Sequence, residues 1–125
     1  VDREQLREAY CGADLFAFLS HEETEGIVVL EALACGAPTV LRDIPVYDGW
    51  LEDGKNVCKA ASDGEFQRIV SGLLDGTLPD LTAAGRAVAE SRSLEQVGRR
   101  LRDIYLEQRI LPPLPRALPQ KQVRA

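Results

Sequence analysis

The chain has 125 residues, 45% of them apolar and 28% charged, with a net charge of −5, which is the composition of one ordinary globular domain with a core of its own. The acidic balance argues against a nucleic-acid binder that tracks phosphates, and no apolar run approaches the roughly 18–20 residues of a membrane-spanning helix. Three widely spaced cysteines (Cys11, Cys35 and Cys58) and the single histidine, His21, offer no closed metal site, so free, mostly buried thiols in a reducing cytoplasm are expected.

In chain order, Asp2 to Ala13 carries Leu6, Ala9, Tyr10 and Ala13 at helical spacing, with Asp2 placed to cap. This charged start does not read as a signal peptide. Val1 enters in mid-pattern and no methionine occurs, so the chain is expected to be a piece of a longer protein. Asp14 to Leu19, DLFAFL, predicts a short parallel strand buried on both faces. Ser20 to Pro38 follows as an acidic loop, Gly26, a helix from Ile27 to Cys35, and an exit with Gly36 as the C-terminal glycine. Further short strands are predicted over Pro38 to Leu41 and Asn56 to Ala60, separated by a loop with a single turn near Tyr47 to Glu52. Ser62 caps a helix to about Leu74, Pro79 and Asp80 start another to about Ser91, and Ser93 starts the last.

Strands alternating with helices predict the α/β class, a partial Rossmann-like parallel sheet with flanking helices. Three strands are few, so an unpaired sheet edge and self-association are expected. Residues 1–110 read as the folded domain. Residues 111–125, a tail with four prolines and three basic residues, read as disordered or strap-like.

The helix IVVLEALAC has one polar side chain, Glu31, whose neighbours at three and four residues are Ile27, Val28, Ala34 and Cys35. A helix apolar all round is a buried helix, and a buried carboxylate needs donors from the protein or from a ligand. The preceding loop lies where open parallel sheets bind ligands, beyond the carboxyl end of a strand. Its helix-start amides, at Gly26, Ile27 and Val28, suit an anion such as phosphate. Glu22, Glu23 and Glu25 crowd the same end and would repel one. The plainer alternative is that these acids complement the helix dipole and Thr24 caps the helix.

Elsewhere the bland readings lead. His21 is incidental rather than substrate-binding, and Val46, Tyr47 and Trp50 pack in the core rather than face an acceptor or membrane. Arg42 and Asp43 either line the site or pair with each other. The last helix, with Leu94, Val97, Leu101, Ile104 and Tyr105 on one face, turns a nearly neutral charged face to solvent.

Glu23 and Glu31 form E-x7-E, followed by A-L-A-C-G-A-P and preceded by Ala13-Asp14-Leu15-Phe16 and Ser20. This string resembles the nucleotide-sugar site of retaining GT-B glycosyltransferases of family 4, over about Leu6 to Ala60 and more weakly the last helix. The resemblance implies the C-terminal part of a GT-B donor domain. It assigns Glu31 to the ribose hydroxyls and Glu23, the catalytic carboxylate, to the donor sugar. The amides of Gly26, Ile27 and Val28, together with Thr24, would bind the diphosphate end of the donor. No metal or other cofactor is implied.

Thr24-Glu25 replaces the family's usual Gly-Phe pair. With R-D-I-P-V-Y-x-G-W-L from Arg42 to Leu51, the pattern is similar to bacterial diacylglycerol glucosyltransferases. These make membrane glycolipids from UDP-glucose at the cytoplasmic face. The implied partners are a nucleotide sugar, a diacylglycerol-type lipid or saccharide acceptor, and the inner membrane surface. The family's glycine-rich loop and diphosphate-holding basic residues would precede Val1, so the isolated chain is expected to be inactive. The alternatives are a non-catalytic nucleotide-sugar-binding module working with a second chain, and a structural fragment whose own donors satisfy Glu31.

Overall fold

A computed structural model describes residues 2–108. In chain order it contains α1 (Arg3–Cys11), β1 (Phe16–Phe18), α2 (Ile27–Cys35), β2 (Thr39–Arg42), a 3-10 turn (Pro45–Tyr47), β3 (Cys58–Ala60), α3 (Asp63–Leu74), α4 (Thr82–Ser91) and α5 (Leu94–Glu107). The α/β class and partial Rossmann-like sheet are as expected. The chain divides after Ser93 into two compact units. The expected boundary at 110 and the tail 111–125 lie outside the described residues.

Local chemistry sets the helix ends. Asp2 accepts the amide of Gln5 at 2.9 Å and donates its own amide to the Gln5 side chain at 3.1 Å, a reciprocal capping box. The Ser62 hydroxyl accepts the amide of Glu65 at 3.3 Å and starts α3 as expected. Gly36 ends α2 at φ +75°, a left-handed turn that most side chains resist.

The sheet is parallel, in the order β1-β2-β3; β1 and β3 are shorter than their expected runs, and β2 keeps the expected length shifted by one residue. Phe16 and Phe18 align with Thr39 and Leu41, while Ala17 aligns with Val40, which in turn aligns with Cys58. Side chains alternate across a strand. One face of the sheet therefore carries Phe16, Phe18 and Leu41 into the core formed with Val29 and Leu33 of α2, Tyr47, Leu51, Val57 and Ala89. The other face carries Val40, Cys58 and Ala60 towards α3, which packs on β2 and β3.

Three expectations need correcting. β1 is not buried on both faces: Ala17 is exposed, because α3 covers the other two strands. α2 is not buried all round: Val29, Ala32 and Leu33 are buried, but Ile27 is 58% exposed and Glu31 and Ala34 are exposed. Those three residues form one stripe at i, i+4 and i+7, left open between the flanking α1 and α4. Only Cys58 is a buried thiol, Cys11 being exposed and Cys35 half-buried. Burial pushes the Cys58 thiol up, and Asp53 adds to this. Burial likewise raises Cys35, with a further contribution from the Cys11 thiol.

α5 is a unit by itself. Leu94, Val97, Leu101, Ile104 and Tyr105 recur on it at the expected spacing, and Arg99 pairs with Glu95 at 3.4 Å.

α4 meets α2 closely at Gly85, where a Cβ would lie 2.7 Å from Leu33 Cδ2 and 3.0 Å from the Asn56 carbonyl. Gly85→Ala should therefore lower stability by about 1–3 kcal/mol in urea unfolding, although alanine is the better helix former. Gly64→Ala in α3, where a Cβ meets nothing within 4 Å, should leave stability unchanged or slightly raised. An unchanged midpoint for Gly85→Ala would contradict this packing.

Candidate functional site

The loop between β1 and α2 is tied down at its start. Arg42 Nε, at the end of β2, donates to the Leu19 carbonyl at 3.1 Å, and its Nη2 lies 3.7 Å from Asp63 at the head of α3. Asp43 pairs with Lys59 at 3.3 Å, and Lys59 also lies 3.7 Å from Asp48. Arg42 and Asp43 thus pair with other residues rather than with each other, and both brace the carboxyl end of the sheet. His21 is exposed on the loop.

Gly26 is the N-cap of α2, with φ +70°, and no side chain caps this helix. The alternative in which Thr24 caps the helix is therefore not found. Its amide and hydroxyl instead donate to Glu23 Oε1 at 2.7 and 3.3 Å. Only glycine takes this backbone conformation readily, and a Cβ at Gly26 would also lie 3.0 Å from Tyr47 Cε1. The Gly26 carbonyl accepts the amides of Val29 and Leu30 at 3.0 and 3.2 Å. Ahead of them, Ile27 and Val28 occupy the first turn, where helix amides have no intrahelical acceptor.

The Glu23 carboxyl is held below the usual carboxylate range, first by the Thr24 amide and further by the amides of Glu25 and Gly26 and the Thr24 hydroxyl. The loop thus folds its own carboxylate back onto the Thr24 amide, with Gly26, the first of the amides suited to an anion, also near it.

Glu31, expected to be buried, is exposed, and the Tyr10 hydroxyl donates to its Oε2 at 3.3 Å. That bond uses little of the accepting capacity of a carboxylate. Burial raises the Tyr10 hydroxyl, and the Glu31 charge adds to this. The Tyr10 ring meets Phe16 edge-on at 5.6 Å, which fixes the phenol over α2. Glu31 stands on the wall between two open hollows. One, of about 470 Å³, runs along α2 and α4 past Ile27, Arg86 and Arg92. The other, of about 410 Å³, runs along α1 past Arg3, Arg7 and Tyr10.

Tyr47 is buried, its ring edge-on to Trp50 at 5.9 Å, and Trp50 Nε1 donates to the Val46 carbonyl at 2.8 Å. This is the core packing expected of the cluster. Arg92 covers the Trp50 ring at 4.4 Å, a cation–π contact. A further hollow of about 390 Å³ opens at the amino ends of β2 and β3, away from both glutamates. Local backbone bonds engage Thr39, Asn56 and Asp80 there.

The structure therefore gathers Glu23, Thr24, Gly26, Ile27 and Val28 at the head of α2 and places Glu31 one turn further along. Nothing in the residue pattern pointed to Tyr10 as the partner of Glu31, 21 residues away, or to Arg92 over Trp50. Both pairings are made by tertiary packing. Among the described residues, no helix is long and apolar enough to cross a membrane.

The family described as "Glycosyl transferases group 1" matches residues 1–90. The chain is 41% identical over 107 residues to a processive diacylglycerol alpha-glucosyltransferase of Acholeplasma laidlawii, covering 86% of this chain and 32% of that protein. It is 29% identical to an alpha-galactosylglucosyldiacylglycerol synthase of Streptococcus pneumoniae, over 89% of this chain and 30% of the relative. It is 32% identical to a D-inositol 3-phosphate glycosyltransferase of Xylanimonas cellulosilytica, over 86% of this chain and 27% of the relative. The chain thus spans less than a third of the length of each of these relatives.

The amide cradle makes a titration prediction. Glu23 should titrate below about 4.3, the ordinary value for glutamate, in carbon-detected NMR. Because its folded-state pKa is lowered, its contribution favours the folded state above the ordinary pKa. That contribution is lost as pH falls through the folded-state midpoint. A midpoint at or above the ordinary value would mean the carboxylate does not sit on these amides.

Proposed function

The chain belongs to the group 1 glycosyl transferases, and on that premise we propose that it is the C-terminal part of the donor domain of a retaining family 4 enzyme. In this reading the full-length protein transfers glucose from UDP-glucose to a lipid of the diacylglycerol type, or to a saccharide acceptor. The observation that carries the proposal is the head of α2. Two carboxylates of one E-x7-E string flank first-turn amides, and Glu31 stands open beside two hollows.

Each group has a defined task. The amides of Gly26, Ile27 and Val28 and the helix dipole receive the diphosphate, and Thr24 supports them. Arrival of that anion displaces Glu23 from the amides, leaving its carboxylate to accept hydrogen bonds from the sugar hydroxyls. Glu31 accepts the ribose hydroxyls, with the Tyr10 hydroxyl setting its orientation. As the glycosidic bond to the diphosphate breaks, charge grows on the departing oxygen, and fixed amides stabilise it without reorganising. No metal enters this scheme. The place of work is the cytoplasmic face of the inner membrane, as a peripheral protein.

A second reading draws on β1, which among the described residues pairs only with β2 and leaves its other edge open. In it the chain is a nucleotide-sugar-binding module completed by strands of a second chain, including another copy of itself.

Calorimetric titration of the full-length protein with UDP-glucose and UDP separates these outcomes. Glu31→Gln should weaken both ligands by about tenfold, the size of one hydrogen bond to a charged group. The 125-residue chain alone should turn over no UDP-glucose. Wild-type protein that binds neither nucleotide would overturn the donor-site reading. Binding without transfer by the full-length protein would favour the module.

A further inference from the structure

Tyr47 is 1% exposed, and its hydroxyl is the one buried side-chain polar atom found without a hydrogen-bond partner among the described residues. Burying an unpaired hydroxyl is unfavourable, and phenylalanine would fill the same space without that penalty. The position of the ring suggests what the hydroxyl is for. It packs under Gly26, close enough that a Cβ there would lie 3.0 Å from Tyr47 Cε1. The phenol therefore sits beneath the turn that starts α2, three residues from Glu23. Burial raises the Tyr47 hydroxyl, and the only charged group that adds to the effect is Glu23. Glu23 meanwhile takes its hydrogen bonds from Thr24.

We propose that Tyr47 is a positioning residue whose hydroxyl donates to the Glu23 carboxylate once an anionic ligand occupies the amides at the head of α2. The assignment rests on the donor-site reading above. A diphosphate on those amides competes with Glu23 for the Gly26 amide and repels its charge, which drives the carboxylate towards another donor. The unpaired phenol beneath the turn is that donor. The hydrogen bond formed there holds the carboxylate at a fixed height over the sugar, and the penalty borne by the free protein is recovered on binding. Glu23 thus has two stations, the amides when the site is empty and Tyr47 when it is filled.

Tyr47→Phe in the full-length protein tests this, because the two roles of the hydroxyl move different readouts. Without ligand the variant should melt at the same temperature as wild type or higher. UDP carries the diphosphate that moves Glu23 and should bind about tenfold more weakly, the worth of one charge-assisted hydrogen bond. UDP-glucose should lose at least as much. A lower melting temperature without ligand, or no loss of affinity for either ligand, would each overturn the assignment while leaving the donor site intact. Wild-type protein that binds neither ligand would overturn the donor-site reading and this assignment with it.

Discussion

A helix cannot satisfy its own first amides, and α2 is built around that constraint. It starts from a left-handed glycine with no side-chain cap, so the shortage of acceptors at its head is not relieved in the usual way. The loop sets the Glu23 carboxylate on the Thr24 amide just ahead of that head and leaves the first-turn amides of Ile27 and Val28 uncapped. A serine or aspartate cap would have closed the helix end for good. The combination of Gly26, a mobile carboxylate and open first-turn amides keeps it available to an incoming anion.

The surroundings hold that head still. Arg42 ties the end of β1 to the end of β2 and reaches the head of α3, while Lys59 gathers Asp43 and Asp48. These ion pairs are partly exposed and each contributes little to stability. Their effect is geometric, since they fix where the strand ends and hence where the loop departs. Tyr47 and Trp50 support the loop from below, so the aromatic cluster that fills the core also forms the floor of the site.

The local grammar of the fold was readable from the residues. The cap at Asp2, the serine cap at Ser62, the exit through Gly36 and the parallel sheet all follow from short-range chemistry and the alternation of elements. The E-x7-E string marked the candidate site, because a family pattern carries information that periodicity lacks. The burial of Glu31 was misread for a physical reason. Periodicity shows which helix faces are apolar, but not whether a neighbour stands against each of them, and α1 and α4 leave the stripe of Ile27, Glu31 and Ala34 uncovered. The alternative of Thr24 as a cap fails because a capping residue type does not ensure capping geometry. Tyr10 and Tyr47 gained their meaning only when distant segments came together.

The glycine contact between α4 and α2 has a mechanical consequence. Leu33 fills the space that a side chain at Gly85 would need, with the Asn56 carbonyl behind it. Closely packed interiors resist sliding, so α2 has little freedom to travel along its axis when its head is loaded. In the proposed donor site, adjustment to a ligand would therefore fall on the loop before Gly26, with the helix as a fixed stop behind it.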